Sequence, residues 1–165
     1  MNSVYTDVFS RFHHGWALLT AGNVSHYNTM TISWGSVGCL WNRPVVTVYV
    51  RPSRYTDHFL QNDDYFTVSF YDESHRKALG VLGTLSGRDT DKIATAGFTP
   101  VKAGESVTFE QAETTLVCKK LFCQDMKAEQ IPEEIRAKYY LEGEAPHRIY
   151  IGEILTEIHR DKELK

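Results

Sequence analysis

The segment Arg51-Pro52-Ser53-Arg54-Tyr55-Thr56 gathers two guanidinium groups and three hydroxyls within six positions, directly after a β-like run and before a helix-like one. Arginine offers forked donors, serine and threonine offer short hydroxyl donors, and the first turn of a helix adds unpaired N–H groups. That combination suits a phosphate; the plain alternative is a solvated turn with a capped helix. A second segment, Thr84-Leu85-Ser86-Gly87-Arg88-Asp89-Thr90-Asp91-Lys92, again sets hydroxyls, a glycine, an arginine and a lysine where a loop enters a helix. Neither segment has the order of a Walker loop, and no Gly-x-Gly-x-x-Gly follows a strand, so a Rossmann nucleotide domain is disfavoured. A pyridine nucleotide would have to dock transiently.

A third segment, Asn28-Thr29-Met30-Thr31-Ile32-Ser33-Trp34-Gly35, reads as a strand with Asn28, Met30, Ile32 and Trp34 on one face and Thr29, Thr31 and Ser33 on the other. Its polar row could bond the edge of a planar heterocycle while the tryptophan covers an apolar part. The same residues could equally express nothing beyond β propensity. Other features invite plainer readings. His13-His14 has no partner at metal-ligand spacing, and neighbours on a strand would point apart, so no metal is expected. Gly80-Val81-Leu82-Gly83 suits close helix packing. Cys39, beside Leu40 and Trp41, reads as a small core residue, and Cys39, Cys118 and Cys123 all read as reduced thiols.

Strands are expected at 16–21, 28–35, 44–51, 65–71, 114–124 and 147–158, each rich in β-branched or aromatic residues and bounded by turn formers. Gly152 interrupts the last run, as a bulge would. Thr56 could cap a turn or two of helix, Ser74 a helix through Leu82, and Asp91 and Gly97 suit the two ends of a helix over about 90–96. Pro132 with Glu133 and Glu134 opens a fourth helix that ends before Gly143. Many strands with few short helices point to a closed or nearly closed barrel, since an open sheet would leave long edges.

The 165 residues suit a single domain over 1–165 with one buried core. A net charge of −3 gives no global attraction for nucleic acid or acidic membranes, so any anion site must be local. The sequence shows neither a leader-like start nor a run approaching about eighteen apolar residues. A cytoplasmic location, with no membrane and no nucleic-acid partner, is the expectation.

In order and spacing the three segments resemble the flavin reductase-like FMN-binding split β-barrel family, and within it the flavoredoxin branch. The resemblance spans about residues 10–158. It rests on Asn-x-Met-Thr-x-Ser-Trp at 28–34, Arg-Pro-Ser-Arg-Tyr-Thr at 51–56 and Ser-Gly-Arg-Asp-x-Asp-Lys at 86–92, with His147-x-Ile-x-Ile-Gly-Glu-Ile similar to the family's closing strand. The resemblance implies a mainly β fold with short helices, FMN as cofactor, and oxidoreductase activity, either as a flavin reductase with NADH or NADPH as transient electron donor or as a flavoredoxin-like electron-transfer protein with a redox partner. The alternative is a non-catalytic FMN carrier or sensor. A pyridoxamine phosphate oxidase relative would be expected to carry a second basic set, which the sequence lacks.

Position by position, the resemblance implies that Asn28, Thr31 and Trp34 line the isoalloxazine and ribityl part, and that Arg51, Ser53, Tyr55, Thr56 and Lys92 hold the phosphate. Ser86 and Arg88 either face the flavin or order their loop. His147 sits near the open ring face or is a surface or capping residue. The resemblance also implies a homodimer in which the partner completes each site, with the amino-terminal segment and the 132–143 region as contributors.

Overall fold

The computed structural model describes residues 4–160, and the side chains from residue 7 onward. A short helix α1 (Val4–Ser10) runs into a wide turn at Arg11–Gly15, followed by β1 (Ala17–Asn23), β2 (His26–Ile32), β3 (Gly35–Leu40) and β4 (Arg43–Val50). Then come α2 (Tyr55–Asn62), β5 (Tyr65–Phe70), α3 (Arg76–Thr84), α4 (Lys92–Ala96), and the hairpin of β6 (Pro100–Ala103) and β7 (Ser106–Phe109). The chain closes with β8 (Thr114–Asp125), α5 (Glu133–Tyr139) and β9 (Arg148–His159).

Seven strands form one sheet in the order β2-β1-β5-β8-β9-β4-β3, and every pairing is antiparallel. β2 and β3 are its two edges, yet only Ser33 and Trp34 separate them in sequence. In a flat sheet six strand spacings of about 4.8 Å would hold those edges roughly 29 Å apart. The step from Ile32 to Gly35 reaches at most about 11 Å. The sheet therefore has to roll until its edges meet at that link, without pairing there. This is a split barrel, the fold expected above.

The alternation of β1 sorts the core. Ala17, Leu19 and Ala21 face the barrel interior with Ile32, Val48, Phe66 and Tyr150, while Leu18 faces outward against Leu79 and Leu82 of α3 and Phe109 of β7. Phe59 and Leu60 of α2 belong to the interior cluster. Under the β6–β7 hairpin lies a layer of buried hydroxyls that nothing in the sequence patterning foretold. Ser69 bonds Thr108 at 2.9 Å and Thr115 at 3.0 Å, and the Thr67 hydroxyl donates to the Val107 carbonyl at 2.5 Å. Mutual pairing removes the cost of burying them.

The structure differs from the sequence pattern at several places. β3 carries no strand signal, because Gly-Ser-Val-Gly-Cys-Leu lacks alternation, and the four-residue strands β6 and β7 lie outside the expected runs. Cys39 lies exposed on edge strand β3 rather than in the core. His13 and His14 belong to the wide turn, with rings 4.6 Å apart, and not to a strand. Asp72, not Ser74, caps the turn before α3 by accepting from the Ser74 N–H. Gly152 is paired on both sides, with Lys120 and Val46. The extra residue there is Leu121 on β8, with a second irregularity at Leu155. Gly152 is needed for space instead: a Cβ would stand 2.4 Å from the Phe66 ring. Of the two α3 glycines, only Gly83 packs closely, against Thr31, while Gly80 faces open space. No helix among the described residues is long and apolar enough to cross a membrane.

Candidate functional site

A groove follows β2 and the Ser33–Trp34 link and consists of adjoining hollows. One, of about 160 Å³, is lined by Met30, Thr31, Ser33, Trp34, Tyr49, Arg51, Arg54 and His147. The next, of about 290 Å³, shares Met30 and Arg54 and is lined by Asn28, Ser53, Tyr55, Thr56, Ser86, Gly87, Arg88 and Lys92. The structure thus brings all eleven expected residues into two neighbouring sets. It does not bring Arg51 to the other expected phosphate residues, because Arg51 lines only the aromatic hollow. Arg54, left out of the expected set although it stands in the same motif, lines both.

In the aromatic hollow Trp34 is 40% exposed, since it lies on the link between edges rather than in β2. Its ring meets His147 at 5.1 Å and stands nearly perpendicular to Tyr139 at 5.4 Å. His147 is buried, and its Nδ1 shares a proton with the Tyr140 hydroxyl at 2.6 Å. Burial and the nearby Arg51 charge push its pKa down to about 4, so the imidazole is neutral at pH 7. Arg51 donates to the Glu144 carboxylate and, at 2.7 Å, to the Tyr139 carbonyl, with its guanidinium over the Tyr140 ring. The Arg51 hydrogen bond holds the Glu144 carboxyl below its usual range. Thr31 donates its proton to the Leu79 carbonyl at 2.6 Å and so ties β2 to α3.

The second hollow is built where loops meet helix ends. Asn28 donates to the Thr56 hydroxyl at 2.8 Å, clamping β2 to the first turn of α2. The Arg88 guanidinium lies 4.8 Å over the Tyr55 ring and donates to the Ser53 carbonyl at 3.2 Å, while the Arg88 N–H donates to Ser86 Oγ. Gly87 leaves the floor open: a Cβ there would stand 2.2 Å from Asn28 Oδ1. Lys92, 4% exposed, donates to the Leu82 and Leu85 carbonyls at 2.9 and 3.1 Å, satisfying acceptors at the end of α3. An ammonium has three donors, so one remains. Burial, then the Arg54 charge, lowers the Lys92 pKa to about 8. Arg54 is lowered for the same two reasons, burial first and then Arg51, and donates to the Gly83 carbonyl at 3.0 Å.

The charges are unevenly balanced. Among the described residues Arg51 is paired with a carboxylate, and Arg54, Arg88 and Lys92 are not. Three uncompensated cations, hydroxyls and a cleared glycine floor fit an anionic group such as a phosphate. The hollow beside them, walled by Trp34 and Tyr49 with neutral His147, fits a ring system. Sequence reasoning missed Arg54, Tyr49, Tyr140 and Glu144. Arg54 could have been found from its own motif, whereas Tyr140 and Glu144 stand in a loop that carries no recognisable pattern. No group of three or more His, Cys, Asp or Glu at metal-binding geometry occurs among the described residues.

Solved structures share this architecture. A flavoredoxin from Methanosarcina acetivorans superposes with a TM-score of 0.72 at 20% identity, over 92% of this chain and 71% of that one. An FMN-binding protein from Thermus thermophilus with bound p-hydroxybenzaldehyde gives 0.69 at 19% identity, over 92% and 77%. An NADH:FAD oxidoreductase from Streptomyces globisporus gives 0.67 at 20% identity, over 88% and 75%. At these identities the likeness is one of fold. No curated protein matches the sequence. The family model described as the flavin reductase like domain matches residues 9–164, a span that contains every side chain of the groove, and the chain therefore belongs to the flavin reductase-like family.

Proposed function

We propose that the groove binds FMN, with its phosphate among Arg54, Arg88 and Lys92 and its ring toward Trp34 and His147, and that the protein works as an FMN-dependent oxidoreductase accepting electrons from NADH or NADPH. The observation that carries this reading is a row of three uncompensated cations, Arg88 and Lys92 at one end of the groove and Arg54 at the junction with its aromatic end. Bound FMN would supply the hydride-accepting chemistry. The chain's own part is to position and to compensate charge. Arg54, between the two hollows, is placed to stabilise negative charge on a reduced ring, and neutral His147 can exchange a hydrogen bond at the ring end without adding charge.

Purified protein should be yellow and release FMN on denaturation, and NADH or NADPH added without oxygen should bleach the flavin absorbance. Colourless protein that takes up no added FMN would refute the reading. Stable yellow protein that neither nucleotide bleaches would favour an FMN carrier or sensor instead. One observation speaks for that second reading: Arg51, at the ring end, is already occupied by Glu144 and offers no free charge to a dinucleotide.

Trp34 reports on the ring. FMN binding should quench tryptophan emission through close energy transfer, and Trp34→Phe should abolish most of that quenching. Full quenching in the variant would put Trp16 or Trp41 at the flavin instead.

The reading includes a homodimer. The ring end opens at the surface, and a planar ring held tightly needs cover on both faces. Exposed apolar side chains are present to form a contact: Val37, Leu155 and Trp41, the last 62% exposed at the β3–β4 turn. A hollow of about 650 Å³ between α1, β3 and β9 is floored by Val8, Phe12, Val37 and Ile154. Light scattering at micromolar concentration should give twice the chain mass, and dilution to monomer should release FMN in parallel. A monomer binding FMN tightly at one per chain would remove this part. Three unpaired thiols suit a reducing compartment such as the cytoplasm.

A further inference from the structure

The groove has cations at both ends, and a ligand with a single phosphate could enter such a groove in either direction. We infer that Glu144 sets the direction: by occupying Arg51 it leaves Arg54, at the junction of the two hollows, as the one uncompensated cation among the described residues that line the aromatic hollow, so that a phosphate is accepted only toward Arg54, Arg88 and Lys92. This rests on the reading that the groove takes a phosphate-bearing ligand.

Three contacts carry the inference. The Glu144 carboxylate faces Arg51 with one oxygen and accepts the Leu141 N–H with the other at 3.1 Å, so the loop backbone itself aims it. The second guanidinium nitrogen of Arg51 donates to the Tyr139 carbonyl, and the Tyr140 ring covers its face. Both terminal guanidinium nitrogens and one face are thus engaged by a single segment, 139–144. Arg88, by contrast, is held only by a carbonyl and by the Tyr55 ring, with no carboxylate partner. The net effect is a charge-balanced outer part of the aromatic hollow, around Arg51, beside a positive end that begins at Arg54. A ligand that is flat at one end and dianionic at the other is thereby oriented before it makes any specific contact.

The test uses inorganic phosphate as probe on the full chain and follows the side-chain N–H resonances of Arg51 and Arg88, assigned by their loss in Arg51→Lys and Arg88→Lys. In the unaltered protein phosphate should move Arg88 and leave Arg51 still. In Glu144→Gln, and in Glu144→Ala, it should move both, with affinity at Arg51 raised on the order of tenfold. An Arg51 signal that moves equally with and without Glu144, or that stays still in both variants, overturns the inference whatever Arg88 does. An Arg88 signal that phosphate leaves unmoved, with Arg51 responding in the variants, sinks the phosphate assignment above and leaves the role of Glu144 standing.

Discussion

Lys92→Ala should weaken FMN binding by about 1.5–3 kcal/mol, the range for a hydrogen bond to a charged group, which is roughly ten- to a hundredfold. Arg88→Ala should do the same, while riboflavin, which lacks the phosphate, should be nearly indifferent to both. The two variants differ in a useful way. Lys92 also satisfies the end of α3 and its loss should lower the melting temperature, whereas Arg88 is exposed and its loss should not. Equal losses for FMN and riboflavin would mean that these residues hold up the loop rather than the phosphate. The reaction to pH has a definite sign. The Lys92 ammonium gives up its proton near pH 8 in the free protein, so FMN affinity should fall as pH rises past that point and riboflavin affinity should not. Without ligand the same group acts in the opposite direction. Its folded pKa of about 8 is below the ordinary 10.5, so the unfolded chain binds the extra proton between those values, and the contribution of Lys92 to fold stability rises with pH across that window.

Gly22→Ala should destabilise the fold by about 3 kcal/mol or more, combining a strained backbone and overpacking, each costing about 1–3 kcal/mol. Gly22 stands near the end of β1 with a φ of +102°, and a Cβ would lie 2.3 Å from the His26 carbonyl oxygen and 2.7 Å from the Tyr27 Cα. Both are backbone atoms of β2, so no side chain can swing away to relieve the clash. A drop in melting temperature of roughly 6–12 °C is expected for a chain of this size. FMN binding should weaken too, because Asn28 follows immediately on the strand that must move. Gly38→Ala, where a Cβ meets nothing within 4 Å, is the matched control and should change stability by less than about 0.5 kcal/mol. Equal melting temperatures for the two variants would show that β1 and β2 yield more easily than their register suggests.

The parts of the fold that were legible in the sequence are those where one physical signal dominated. β-branched runs announced β4, β5, β8 and β9, and Asp91 with Gly97 announced both ends of α4, whose observed caps are the Asp91 carboxylate and a left-handed Gly97. β3 carries two glycines and holds its place by pairing with β4, which is a tertiary cause. In the groove, residues brought together by local sequence were found together: Ser53, Tyr55 and Thr56 in one motif, Ser86, Arg88 and Lys92 in the other. Arg51 shares the first motif but lines a different hollow, since it follows directly on β4 whereas Ser53 stands in the turn and Tyr55 and Thr56 in the first turn of α2. Glu144 was out of reach, since its meaning depends on a partner far away in the chain.

The sheet order has a consequence for how the molecule can be made. The β3–β4 hairpin, which leads into Arg51, joins the rest of the sheet only through β9, by pairings such as Val50 with Arg148, about 100 residues apart. During synthesis the β1–β2 hairpin can zip at once and β5 can add to it, but β4 must wait with one flank bare until β9 has emerged. The wall that supplies Tyr49 and Arg51 is therefore set only after β9, and a ribosome-bound chain arrested before residue 148 should show native-like β1–β2 contacts and no aromatic hollow.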